Sequence, residues 1–253
     1  MTDRISRTAS AGEPARVIFD TDPGGDVDDA GALAVLHGLA DLGEVEIVAM
    51  GASNGHRLAV PYLREVNAWY GRPDIPVGVV PPPGPYQADR FLAAVLGAER
   101  RNEDAPEAAD LYRRILAAQP DRSVTLVAVG PCTNIARLLQ SRASHGEPSG
   151  ADLVRQKVIF YGAGGNGSGS LPEGRSGFNY HEDNTAARTE LALMPVEVPM
   201  IFAGGSGSDI LLGECYRDTA PDDIVRRSYE AYFRDEPSLD RPTWDQLRVP
   251  YAC

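Results

Sequence analysis

Within ten residues, Asp20, Asp22, Asp26, Asp28 and Asp29 place five carboxylates between an apolar run, Val17-Ile18-Phe19, and a stretch of helical periodicity. Like charges at this density push protons back onto one another unless a cation sits among them. A hard divalent metal answers that need, since calcium takes roughly 6–8 oxygens from carboxylates, carbonyls and water. Pro23-Gly24-Gly25 would let the backbone turn sharply enough to aim several acids at one point. The competing reading is a solvated acidic loop whose last acids favour a helix N-terminus. An EF-hand is excluded: counted from Asp20, its fifth position is Gly24 and its twelfth Gly31, where oxygen ligands are needed.

Such acids need elements that hold them still. Short apolar runs at residues 17–19, 45–52, 75–80, 124–129, 158–161 and 198–202 read as strands buried on both faces. Helical patterns lie between them at 29–39, 58–70, 105–118, 134–140 and 184–193. The alternation predicts an α/β fold, a single domain with a mainly parallel sheet flanked by helices. In such sheets ligands bind beyond the carboxyl ends of the strands. Polar or glycine-rich residues follow the strands as that rule requires: 20–29, then Ser53-Asn54-Gly55-His56, Gly130-Pro131-Cys132-Thr133-Asn134, 162–179 and 204–209. Pro81-Pro82-Pro83-Gly84-Pro85 and residues 164–177 break elements without starting a new domain, because the alternation resumes after both.

Composition bounds the partners. The 253 residues, 43% hydrophobic, suffice for one sizeable core. A net charge of −12 disfavours nucleic-acid backbones and anionic membranes and favours a small neutral or cationic ligand. Cys132, Cys215 and Cys253 are too few and too scattered for a disulfide framework or a thiolate metal site, which fits the cytoplasm. Residues 1–15 are polar and read as a flexible tail. No apolar run suits a signal peptide or a membrane span.

The chain resembles the nucleoside hydrolases, calcium-dependent N-ribohydrolases whose signature reads Asp-x-Asp-Pro-Gly-x-Asp-Asp-Ala. Asp20-Thr21-Asp22-Pro23-Gly24 and Asp28-Asp29-Ala30 match it, with Gly25-Asp26-Val27 where the commonest form has one residue. Ser53-Asn54-Gly55 stands where the family places a site asparagine. Val129-Gly130-Pro131-Cys132-Thr133-Asn134-Ile135-Ala136 resembles its Gly-x-Thr-Asn-Ile-Ala turn. Phe178-Asn179 with Asp183 resembles Glu-Phe-Asn followed by Asp, and Trp244-Asp245-Gln246-Leu247 resembles the pair that closes the site.

The resemblance implies that Asp22, Asp29, the main-chain carbonyl of Val129 and Asp245 hold one Ca²⁺. It further implies that Asp22 is the general base activating a calcium-bound water, and that Asp28, Asn54 and Asn179 hold ribose hydroxyls. Trp244 resembles the purine-preferring type, in which an indole stacks on the base. The implied activity is hydrolysis of a purine ribonucleoside to free base and ribose by a homo-oligomer. Alternative readings stay open: Asn54 as a turn residue, Trp244 as a core aromatic on a C-terminal helix, and Asn134 as a turn stabiliser outside the site. His56 and His181 read equally as surface residues.

Two departures matter. Gly177 replaces the family's Glu, removing one expected ribose contact, and the residues after Asp245 end at Cys253, so the C-terminal part of the family domain is expected to be missing. Together the two departures motivate a non-catalytic, metal-bound nucleoside-binding protein as an alternative. A haloacid-dehalogenase-type phosphatase also starts from a strand and Asp-x-Asp. It needs a lysine followed by an acid pair, and the only lysine, Lys157, is followed by Gly162-Ala163-Gly164-Gly165.

Overall fold

Alternating side chains along the first strand sort the core into two layers. In β1 (Ala15–Thr21), Val17 and Phe19 point to one face of the sheet and Ile18 to the other. The computed structural model describes residues 12–85, 88–97, 105–144, 146–165, 177–202 and 205–252. Most of the expected tail, most of the 164–177 stretch and Cys253 lie outside them. β1 opens at Ala15, the last residue assigned to that tail.

Five further strands join β1: β2 (Val45–Ala52), β3 (Val77–Val79), β4 (Val124–Ala128), β5 (Val158–Ala163) and β6 (Met200–Phe202). The six form one sheet in the order β3-β2-β1-β4-β5-β6, with each neighbouring pair parallel. The expected mainly parallel α/β sheet is therefore present. Its order reverses between β1 and β4, and at that switch point the carboxyl ends of adjacent strands diverge and leave a crevice.

On one face pack α1 (Asp28–Asp41), α2 (Ala59–Trp69), α3 (Leu92–Leu96) and α9 (Ile224–Phe233). The other carries α4 (Ala108–Ala118), α5 (Thr133–Gln140) and α6 (Gly150–Lys157). α7 (Phe178–Glu182) and α8 (Asn184–Leu193) flank α5. The helix expected from residue 105 starts at Ala108, because Val79 N donates to Pro106 O at 3.0 Å and draws the preceding residues alongside β3. The strands are not all covered on both faces: Ile201, on the edge strand β6, is exposed.

The sequence reading missed α9, although Ile224, Val225, Ser228, Tyr229 and Tyr232 recur at helical spacing. Its N-cap is Asp223, which accepts from Val225 N and Arg226 N at 2.8 and 3.1 Å. Gln246 Nε2 donates to the α9 residue Tyr229 at 3.0 Å, so this helix supports the chain around Asp245.

Between α5, α7 and α8 lies Glu190, fully buried and accepting hydroxyls from Tyr180 at 2.6 Å and Tyr161 at 2.8 Å. Burial pushes its carboxyl up to about 7 from an ordinary 4.5. The folded form thus prefers the protonated acid. That contribution is complete below about pH 4.5 and is lost as pH rises through about 7, by on the order of 3 kcal/mol. Glu190→Gln removes the loss. Between pH 5 and 8 the wild-type Tm should fall by roughly 5 °C or more beyond any fall in the variant. Parallel curves for the two proteins would show that Glu190 carries no such linkage.

Candidate active site

The crevice is floored by the loop after β1. Gly24 turns the chain there at φ +120°, and a Cβ on it would stand 2.6 Å from the carbonyl oxygen of Ala88, so only glycine fits. Asn54 locks the same turn: it is fully buried, donates to Pro23 O at 2.8 Å and accepts from His56 N at 3.1 Å. Both ends of its amide are thus engaged by backbone, which matches its alternative reading as a turn residue.

The loop feeds α1, whose first turn carries Asp28 and Asp29, both buried. Unpaired N–H groups at a helix start favour negative charge at that place. Thr21 Oγ1 donates to Asp29 Oδ1, and Asp22 N donates to the same oxygen at 3.1 Å. Asp20 lies beneath. Its Oδ2 accepts from Tyr112 and, at 2.9 Å, from Asn134 Nδ2, and burial pushes its carboxyl up to about 7. Asn134, read as a turn stabiliser, is in fact a support for this acid.

Asp245 arrives from the far end of the chain. Two short strands, β7 (Leu211–Leu212) and β8 (Arg241–Pro242), pair antiparallel, and Thr243 N reaches Gly207 O and Ile210 O at 3.0 Å each. Asp245 then sits in a turn before α10 (Arg248–Ala252). The strand pairing through Pro242 holds this segment extended, and helical structure begins only afterwards, at Arg248.

These segments converge. Asp28, Asp29 and Asp245 each offer a carboxylate oxygen within 4.8 Å of the others, and all three are buried. With Asp22, the Val129 carbonyl, Asn179 and Trp244 they line a cavity of about 490 Å³. Burial first, then the neighbouring Asp29, push Asp22 well above the usual carboxylate range. Asp28 is raised likewise, by burial and then by Asp245, and Asp245 by burial and then by Asp29. Burial also lifts Asp29 to about 7. An oxygen-only donor set whose members destabilise one another's charge fits a hard divalent cation. Gly130 completes the floor: a Cβ there would stand 2.6 Å from Asp22 Oδ1.

The walls hold residues that no sequence motif indicated. Asp26, from the longer loop, takes a forked ion pair from Arg241, with Nε 2.8 Å from Oδ1. The partners are 215 residues apart, so only the fold reveals them. The Arg241 guanidinium lies 4.9 Å from the centre of the Trp244 ring, and Trp244 Nε1 donates to Ser208 Oγ at 3.0 Å. The indole is thus a wall of the cavity, and it is not on a helix. Asn179, on α7, donates to Val129 O and approaches Gly164 O at 3.4 Å. Gly177 just before it has φ +83°, a conformation in which the family's Glu would be strained.

Compared with known protein families, residues 17–206 match the model of the inosine-uridine preferring nucleoside hydrolases. This chain belongs to that nucleoside hydrolase family. It is 30% identical over 204 residues to the pyrimidine-specific ribonucleoside hydrolase RihA of Citrobacter koseri, covering 74% of this chain and 59% of that protein. The chain therefore spans less than two thirds of that relative's length. Among solved structures it is similar to the type III effector protein XopQ complexed with adenosine diphosphate ribose, with a TM-score of 0.73 at 17% identity, covering 95% of this chain and 81% of that one. It is also similar to the purine-preferring ribonucleoside hydrolase from Gardnerella vaginalis, with a TM-score of 0.62 at 18% identity, covering 94% and 79%. Both likenesses describe a shared fold. The phosphatase reading loses its lysine as well: Lys157 closes α6 at the amino end of β5, away from the carboxyl ends of the strands, and pairs with Asp121 at 2.6 Å.

Proposed function

We propose that this chain hydrolyses the N-glycosidic bond of a ribonucleoside, purine preferred, releasing free base and ribose. The observation that carries the reading is the convergence of Asp22, Asp28, Asp29 and Asp245 on one cavity in a member of this family. Asp22, Asp29, Asp245 and the Val129 carbonyl would hold the cation, for which calcium is the natural choice among hard ions with oxygen donors. A bound calcium ion would supply the Lewis acidity that lets water lose a proton near neutral pH.

The chain's own groups do the rest. The Asp22 carboxylate takes the proton from the attacking water, and Asp28 and Asn179 orient the sugar through its hydroxyls. Asn54 acts in this scheme by fixing the turn below Asp22. The transition state is oxocarbenium-like, so positive charge develops on the sugar above a floor of carboxylates, where it is stabilised. Cys132 and Cys215 are free thiols, which supports a cytoplasmic setting. Among the described residues no helix is long and apolar enough to cross a membrane.

The choice of base rests on Trp244 and not on the relatives, one pyrimidine-specific and one purine-preferring. If the indole stacks on a departing purine, Trp244→Ala should slow inosine or guanosine cleavage by ~10-fold or more. A nitrophenyl riboside, whose leaving group needs no such help, should be hurt much less. Equal losses on both substrates would reduce Trp244 to packing around Asp245 and remove the purine assignment.

To test the reading as a whole, calcium-loaded protein is incubated with inosine, guanosine, uridine and cytidine, and free base and ribose are quantified. Release from the purine nucleosides first is the expected result. Gly177 favours a second reading, a metal-holding protein that binds nucleosides without turnover. Calcium binding with no release from any of the four would establish that second reading instead.

A further inference from the structure

One buried cation in the site has no part in the scheme above. Arg248 opens α10, is 8% exposed and lines the cavity. Its Nη1 stands 3.4 Å from Asp245 Oδ1 and 3.4 Å from the Val129 carbonyl oxygen. Its Nε is buried with no hydrogen-bond partner among the described residues. The other arginine of the cavity, Arg241, is already matched to Asp26 by its fork. Among the described residues, Arg248 is therefore the guanidinium of the cavity that serves Asp29 and Asp245, while Arg241, paired to Asp26, also faces Asp28.

We propose that Arg248 is an intrinsic counter-ion that competes with the divalent metal for Asp245 and the Val129 carbonyl, and thereby sets how tightly the site holds that metal. This rests on the metal-site reading proposed above. Two of the oxygens that reading assigns to the cation are the same two that the guanidinium approaches. A guanidinium stays charged at every accessible pH, so the conflict cannot be relieved by losing a proton. It is relieved only by moving, or by tolerating a like charge a few ångströms away in a poorly solvated cavity.

The contacts suit a group that can move. Both are long for charge-assisted hydrogen bonds, which ordinarily run to about 2.9 Å, and the Nε has no partner among the described residues. The same positive charge is useful when the metal is scarce, because it offsets part of the repulsion among the four acids. Arg248 thus lowers metal affinity and stabilises the metal-free fold together. The resulting site would follow the surrounding concentration of divalent ion instead of holding it permanently.

The test uses the full chain, stripped with a chelator, as wild type, Arg248→Gln and Arg248→Lys. Calcium affinity is measured by calorimetry, and Tm is recorded with and without saturating calcium. Arg248→Gln should bind calcium about 10-fold or more tightly, melt lower than wild type when stripped, and show the larger calcium-induced rise in Tm. Arg248→Lys, which keeps the charge, should stay within about 3-fold of wild type in affinity. If Arg248→Gln is too unstable to titrate when stripped, the calcium dependence of its Tm gives the same comparison.

Wild type that binds calcium while a folded Arg248→Gln binds it no better would overturn the proposal and make Arg248 a group that merely orients Asp245. Absence of binding in all three proteins would overturn the metal-site reading itself, and this proposal with it.

Discussion

Asp22→Asn lowers kcat on a purine nucleoside by about 10³-fold or more, in line with the loss of a positioned general base. The substitution is nearly isosteric, so the cavity keeps its shape and nucleoside affinity changes far less than kcat. A second effect runs the other way. Burial and Asp29, Asp245, Asp28 and Asp20 all oppose ionisation of Asp22, so a neutral amide there should raise the Tm of chelator-treated protein. Loss of turnover with a gain in metal-free stability marks a residue kept for chemistry against its own packing. Steady-state kinetics with thermal melts on the same preparations checks both halves. Full activity in the variant would remove Asp22 from the base role.

Asp245→Ala and Asp29→Ala each weaken calcium binding by ~10³-fold, since each deletes a charged oxygen donor from a hard cation whose affinity follows ligand charge. The two variants should differ in the fold. Asp29 Oδ1 also receives Thr21 Oγ1 and Asp22 N, so its removal leaves two buried donors unanswered and costs stability as well. Asp245 contacts Arg248 at 3.4 Å, and its loss strands that guanidinium instead. Calorimetry and chemical denaturation separate the two effects. Calcium binding at wild-type strength in both variants would remove Asp29 and Asp245 from the metal site.

Much of the scaffold was legible because buried parallel strands are written as short apolar runs, and β1, β2 and β4 are such runs. The acids after β1 were legible for the opposite reason: no packing requirement places five carboxylates in ten residues. Less local features were not. α9 is the exception, since Ile224, Val225, Tyr229 and Tyr232 do spell a local helical pattern. α10 is only five residues long, too short for periodicity to show. Arg241 and Arg248 are ordinary arginines in sequence and acquire meaning from Asp26 and Val129, which the fold brings to them from far along the chain, and from Asp245 three residues before Arg248. Asn54 shows the converse: a motif match pointed to the ligand, while the side chain is committed to the backbone of Pro23 and His56.

The central claim is that this cavity joins water to the sugar carbon from which the base departs. Inosine is incubated with calcium-loaded protein in ¹⁸O-enriched water, the reaction is stopped early, and the ribose is reduced at once to fix its C1 oxygen before mass spectrometry. One ¹⁸O per ribose, released in step with hypoxanthine and absent in the Asp22→Asn control, is the predicted result. Inosine recovered intact from protein shown to hold calcium, or ribose no more labelled than in the control, would contradict it.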